Sequence, residues 1–378
     1  MTGLTRTTHP IASASDAAAR LSPGEWLICA VAALGFAFDL YEVLVLPLVL
    51  RPALATLGPL GPGDPAFDRW VGLLFYVPAL MGGAFGLLGS YLADRLGRRR
   101  VLVWSIGVYT LSAFAASHAT TLPQLLVFRC ATIVGVAVEY VAAIAWLAEL
   151  FPSPRRRQSV LAYTQAVVAL GGLMATGAYY VAVTYGEHLP AIRMGHDAWR
   201  YTLLFGLAPA IPLVVIRPFL PESPVWQERR ALGTLKRPSL AELFRPALRT
   251  TTLVTTLLYA CAYAIPFGVL QQTPRIVPGL PDVHDLAPRE VEQIVSRVQF
   301  IGELGTLAGR VLFAWLVVRI ASQRRLLRVF LVPGLIAFSW VYFHAATHSL
   351  MLLQYGIFAA ALCMNGPLSF WWNYWPRV

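Results

Sequence analysis

Six ionisable side chains stand inside apolar runs: Asp39 and Glu42, Arg129 and Glu139, Glu303 and Arg310. Within a membrane-spanning helix each such group costs ~2.5–3.5 kcal/mol on insertion scales, so each calls for a function. Asp39 and Glu42 are three residues apart, which puts both carboxyls on one helical face. At 1.5 Å per residue Arg129 and Glu139 lie about 15 Å apart along a helix axis, and Glu303 and Arg310 share a face about two turns apart. Carboxyls and arginines in such surroundings can take up and release protons, align two helices as static ion pairs, or bind a polar solute. A further motif is the turn Gly89-Ser90-Tyr91-Leu92-Ala93-Asp94-Arg95-Leu96-Gly97-Arg98-Arg99-Arg100, with one acid and four arginines between two apolar runs. Gly89 suits close helix approach, Gly97 suits a tight turn, and Asp94 can make a charge-assisted contact across to the other bundle.

These residues need elements to hold them, and the composition says which kind. The 378 residues are 57% hydrophobic and 13% charged, with a mean hydropathy of +0.61. Apolar runs of roughly 20 residues cross ~30 Å of hydrocarbon, and in lipid they must be helical to satisfy their own backbone groups. Ten spans are expected at about 26–50, 70–92, 101–117, 124–150, 159–184, 201–216, 251–271, 298–318, 328–345 and 349–372. The fold class is therefore an all-α polytopic membrane protein. Of the 30 Lys and Arg, 21 fall on the side that carries the N-terminus, a bias that places this side and both termini in the cytoplasm. The net charge of +11 is spread over short loops, which argues against a nucleic-acid surface. Cys29, Cys130, Cys261 and Cys363 all fall inside spans, as small packing residues rather than disulfides or metal ligands. No His-Glu-x-x-His and no Gly-x-Ser-x-Gly is present, so a membrane-embedded enzyme is not expected. No cofactor and no metal is expected.

Gly89, Asp94, Arg95, Gly97, Arg98 and Arg99 fit Gly-x-x-x-x-Asp-Arg-x-Gly-Arg-Arg, and the stretch resembles the signature loop of the major facilitator superfamily. Arg129 through Gly135 to Glu139, then Glu149-Leu150-Phe151-Pro152 with Arg156, is similar to the fourth span and following loop of sugar-porter-like members. Ala198-Trp199-Arg200-Tyr201 and Pro221-Glu222-Ser223-Pro224 resemble them as well. The resemblance implies a two-bundle fold of twelve spans, of which six plus four are expected here, with the last two missing. It divides the chain into a tail 1–25, a six-helix bundle 26–216, a cytoplasmic linker 217–250 and an incomplete bundle 251–378. It assigns Gly89, Asp94, Arg95, Gly97, Arg98 and Arg99, with Glu149 and Arg156, to a cytoplasmic gating network.

In proton-linked sugar porters an acid at the position of Asp39 faces an arginine at that of Arg129. The resemblance thus implies that pairing here, with Glu42 and Glu139 as additional or alternative proton sites. Gln165 falls where those proteins place a substrate-binding glutamine, while Gln271-Gln272 sits later in its span than their glutamine pair. The implied function is secondary active transport of a small polar metabolite, a sugar or an organic acid, by alternating access with proton symport. Passive facilitation and a non-transporting remnant are the alternatives. The expected partners are the substrate, protons and the lipid bilayer of the cytoplasmic (inner) membrane, with no nucleic acid and a monomeric chain.

Overall fold

The structure, a computed structural model, describes residues 21–368 apart from 152, 154–155, 158–159, 162–163, 165–166, 236–239 and 321. All the extended regular structure among them is helical. α1 (Pro23–Leu57) starts on a capping box, in which Ser22 Oγ accepts from the Glu25 amide and Glu25 returns a bond to the Ser22 amide at 2.8 Å. Together with Pro23 in the first turn, this fixes where the helix begins. α2 (Pro65–Leu96) and α4 (Leu122–Leu150) start the same way, with Asp64 and Thr121 as side-chain caps followed by an early proline. α3 (Arg98–Ser117) follows α2 after one residue. α5 (Leu170–Tyr185) comes next, and α6 (Ala198–Phe205) and α7 (Leu207–Ile216) meet at Gly206. α8 (Pro224–Ala231) is short and capped by Ser223. α9 (Pro246–Tyr263) continues through a π-helical stretch, Ala264–Val269, and a 3-10 turn, Leu270–Gln272. α10 (Pro288–Arg319), α11 (Gln323–Trp340) and α12 (Leu350–Asn365) complete the order.

Among the described residues, eight helical stretches are long and apolar enough to cross a membrane, and α12 is shorter. The chain is a multi-pass membrane protein. The sixth span runs from Ala198 to Phe219, past Arg217 as its short apolar run suggested, so Arg217, which the domain division counts as the first residue of the linker, ends the span and is buried. The break at Gly206 and Pro212 inside α7 explain why this span read as short. A proline there removes one hydrogen bond of the helical ladder.

α1 is the interior helix. Of its most apolar window 72% is buried, against 28% for α2, and α2 shows Tyr76 and Leu80 on its outer face. α2 and α3 pack on α4, α5 packs on α1, and α12 lies against both α10 and α11. The N-terminal and C-terminal halves of the chain meet chiefly where α5 lies against α10. That contact is a polar ladder at helical spacing. Arg289 donates to the Thr184 carbonyl and pairs with Glu187 at 3.3 Å, and Gln293 donates to Thr184 Oγ1 at 3.3 Å. Glu292 accepts from the Tyr179 hydroxyl at 2.5 Å and pairs with Arg51 of α1 at 2.9 Å, and Ser296 donates to the Thr176 carbonyl at 2.9 Å.

At the inner end of the ladder α5 presents Gly171 and Gly172. A Cβ on Gly171 would run into the carbonyl of Ala37 on α1, and one on Gly172 into the carboxyl of Glu303 on α10. Small residues of this kind let membrane helices approach through their backbones. Gly171→Ala is therefore expected to lower stability by about 1–3 kcal/mol, the usual cost of overpacking. Gly177→Ala in the same helix, where nothing lies within 4 Å of the added carbon, should cause no loss. Thermal unfolding of the two variants in detergent checks the difference.

Candidate functional site

The buried charges of the N-terminal half gather where α1, α4 and the end of α7 meet. Arg129 on α4 lies 3.2 Å from the Glu42 carboxylate and also donates to the Glu42 backbone carbonyl at 2.6 Å. Both side chains are almost wholly enclosed, at 1% and 0% exposure. The expected pairing of Arg129 with Asp39 is not formed. Asp39 and Glu42 do share a side of α1, but Arg129 reaches the later of the two, and neither carboxyl oxygen of Asp39 has a hydrogen-bond partner. Glu139 is nearly three turns beyond Arg129 on α4 and pairs instead with Arg217.

A second set of polar groups comes from the C-terminal half. Gln299, Glu303, Thr306 and Arg310 form a stripe along α10, and Gln271 and Asn365 face it around a small cavity of about 30 Å³. Gln299 donates to Glu303 at 3.2 Å, and Asn365 donates to Thr306 Oγ1 at 3.0 Å. Gln271 donates weakly to the Pro266 carbonyl at 3.5 Å, and its own amide oxygen is unpartnered. It stands just past the π-helical stretch, where the backbone departs from α geometry. Irregular turns of this kind recur at functional sites in helices.

A larger cavity, of about 1050 Å³, adjoins this region. Asp39, Tyr140, Tyr263 and Arg310 are on its walls, and it follows α2 as far as Ser90. It therefore extends toward the Gly89–Arg100 turn, while the α5–α10 ladder closes the opposite end. Donors, acceptors and a cation from both halves thus face one space, an arrangement that can hold a polar solute of several heavy atoms. Gln165 lies outside the described residues.

The turn itself is a network. Gly97 has φ +98° and its alpha carbon faces the Glu222 carboxylate, a backbone region that favours glycine. Arg98 is buried and pairs with Asp94 at 2.5 Å and with Glu149 of α4 at 2.9 Å. Gly89 packs against Val138 of α4. Glu222 accepts from an amide in the first turn of α3, that of Arg99, at 3.2 Å, and Trp226 of α8 donates to the Asp94 carbonyl at 2.8 Å. Arg95 is exposed. Arg156 does not join Asp94 and Glu149, as expected, but pairs with Glu25 at the start of α1 at 3.1 Å. The Asp94 carboxylate likewise pairs with Arg98 of its own half rather than across to the other bundle, and its backbone carbonyl accepts from Trp226 in the 217–250 segment.

Sequence reasoning missed Arg217, Gln299, Thr306 and Asn365. For Gln299 and Thr306 the signal existed, since 299, 303, 306 and 310 repeat at the spacing of one helical face. For Arg217 it did not, because an arginine at the end of a span is what positive-inside bias produces everywhere.

An all-helical bundle with a charged core, a two-sided polar cavity and this turn defines a membrane transporter fold. The chain belongs to the Major Facilitator Superfamily, whose profile it matches over residues 24–376. It is 30% identical to the inner membrane metabolite transport protein YgcS of Escherichia coli strain K12 over 203 residues, 53% of this chain and 42% of that protein. Identity to the sialic acid transporter NanX of the same strain is 24% over 348 residues, 91% of this chain and 78% of that protein. The crystal structure of a D-xylose-proton symporter superposes with a TM-score of 0.68 at 19% identity, covering 91% of this chain and 81% of that one. With YgcS and several other curated relatives the matched segment spans about half of the relative's length.

Removing one member of a buried pair leaves the other charge uncompensated, at a cost of about 3–5 kcal/mol. Arg129→Leu should show a loss of this size in denaturant unfolding, and Arg129→Leu combined with Glu42→Leu should recover most of it.

Proposed function

We propose that this chain is a secondary active transporter that moves a small polar metabolite, a sugar or an organic acid, by alternating access with proton symport. The observation that carries the reading is Asp39. Its carboxyl is buried without a hydrogen-bond partner on the wall of the large cavity, where a proton decides whether a charge faces the solute. An intramembrane acid lining a cavity is the usual form of a proton site in transporters. Arg129 and Glu42, joined through Nη1 and one carboxylate oxygen, set the register of α1 on α4, and Glu139 belongs to the same charged core. Glu303, Arg310, Gln271, Gln299 and Asn365 supply the polar contacts for substrate from the other half. Hydroxyls suit the amides, and a carboxylate suits Arg310.

The Gly89–Arg100 end faces the cytoplasm in this reading, because most of the basic loops lie there. Both termini are on that side of the inner membrane. The arrangement described is then inward-facing, with the α5–α10 ladder as the external closure and residues 26–216 and 251–378 as the two bundles, joined by the linker 217–250. The similarity to YgcS, NanX and the D-xylose-proton symporter supports the substrate class and the coupling.

Membrane vesicles containing the full chain, challenged with labelled pentoses, hexoses and monocarboxylates, test this. Accumulation driven by an inward proton gradient should disappear when the gradient is collapsed. Asp39→Asn should reduce it to that collapsed level while leaving exchange of labelled for unlabelled substrate intact. If gradient-driven accumulation survives in Asp39→Asn, Asp39 is not the coupling site.

A further inference from the structure

Behind Asp39 lies a second charge centre that the Arg129–Glu42 pair does not account for. Glu139 of α4 is fully buried and meets the guanidinium of Arg217, which turns back into the bundle from the end of α7. α1 makes the room. Gly35 is one turn before Asp39 on the same face, and a Cβ there would stand on Arg217 Nη2 and 3.0 Å from Glu139 Oε1. Both oxygens of Asp39, Oε2 of Glu139 and Nη1 of Arg217 lack hydrogen-bond partners.

The ionisable neighbours of Asp39 come from every element around it. Glu42 is on α1, Glu139 and Tyr140 on α4, Tyr109 on α3, and Arg217 at the end of α7. Tyr263 of α9 and Arg310 of α10 lie across the cavity. Glu42 is neutralised by Arg129, the tyrosines carry no charge in their ordinary form, and Arg310 shares a helix face with Glu303. Two carboxyls, Asp39 and Glu139, and one guanidinium, Arg217, remain. With all three ionised they hold one negative charge in excess.

We propose that Arg217 makes Asp39 and Glu139 a one-proton site. The guanidinium stays charged throughout and serves as counter-ion to one carboxylate. A single proton from water, bound to a carboxyl oxygen of the other, brings the centre to neutrality. Asp39 faces the cavity, which gives the proton its entrance. On the opposite side Arg217 lines a hollow of about 10 Å³ with Arg99 and Leu220, and Arg99 Nη1 donates to the Leu220 carbonyl at 3.3 Å. The segment from Arg217 to Glu222 therefore joins the proton centre to the turn that Glu222 caps, and Arg217 is a positioning residue for the proton. The inference deepens the transport reading, but its test needs no substrate.

Infrared difference spectra of the purified full chain in lipid nanodiscs, taken between alkaline and acidic buffer, count the carboxyls that take up a proton. Asp39→Asn and Glu139→Gln should each lose the same one-carboxyl component of the protonated C=O band, since Arg217 then neutralises the carboxyl that is left. Arg217→Gln should add a second carboxyl to that component. Glu139→Gln with Arg217→Gln, which removes both partners and so avoids a stranded charge, should bring back the component lost in Glu139→Gln. The proposal is overturned if Arg217→Gln titrates the same number of carboxyls as the wild type, or if the double variant behaves like Glu139→Gln alone. An ion pair of purely structural importance would lower the melting temperature of the single variants and leave the count unchanged. If the band behaves as expected while Asp39→Asn still accumulates substrate, the proton site stands and only its coupling to transport falls.

Discussion

Charge that cannot be left alone in apolar surroundings organises this bundle. Desolvating an ion costs several kcal/mol, and a partner with good geometry returns about as much as was lost. Such pairs therefore contribute little net stability and a great deal of register. Arg129 can satisfy its guanidinium only where α4 sets it against the carboxylate and carbonyl of Glu42. Glu139 can be buried only because the chain after α7 turns Arg217 inward. Each pair ties a helix to another that is distant in sequence, so α1, α4 and α7 have one arrangement in which every guanidinium meets a carboxylate. Asp39 is the carboxyl left over, and it is the one on the cavity wall.

The two halves of the chain treat polarity differently. In the N-terminal half the buried charged groups are paired and packed away from the large cavity, apart from Asp39, while Ser90 and Tyr140 bring hydroxyls to its wall. In the C-terminal half the polar groups are mostly amides and hydroxyls around the small cavity of about 30 Å³, with Gln299, Thr306 and Asn365 bonding to neighbours on the same side and Arg310 reaching the large cavity as well. The ladder between α5 and α10 runs from Arg289 to the Gly172–Glu303 contact, so the closure at one end is continuous with the polar wall of the cavity.

Much of this was legible in the residues. The apolar runs and the Gly89–Arg100 motif carried the helical membrane fold and the family, because length, composition and a turn glycine act locally. Partner choice was not legible. Asp39 and Glu42 present equivalent carboxyls to Arg129, and only the axial offset of α1 against α4 decides between them. Arg156 similarly reaches Glu25 at the start of α1 rather than Glu149, and that depends on where the N-terminus of α1 comes to rest. Arg217 was hidden because its distance from the end of the span, not its type, determines whether it faces water or Glu139. Asn365 gave no periodic cue at the end of its short helix.

The single residue between α2 and α3 has a mechanical meaning. Gly97 is the whole connection, and it is held on both sides: Arg98 is buried against Asp94 and Glu149, and Glu222 closes the first turn of α3. A joint with one residue and three fixed contacts has no slack. α2 cannot slide along its axis without dragging α3, and through Arg98 it drags α4 too. The three helices are thus one stiff limb. Any rearrangement of the cavity they flank is then a movement of that limb as a unit, pivoting on irregular connections elsewhere in the spans, such as the π-helical stretches Ala264–Val269 after α9 and Val341–Ala345 after α11.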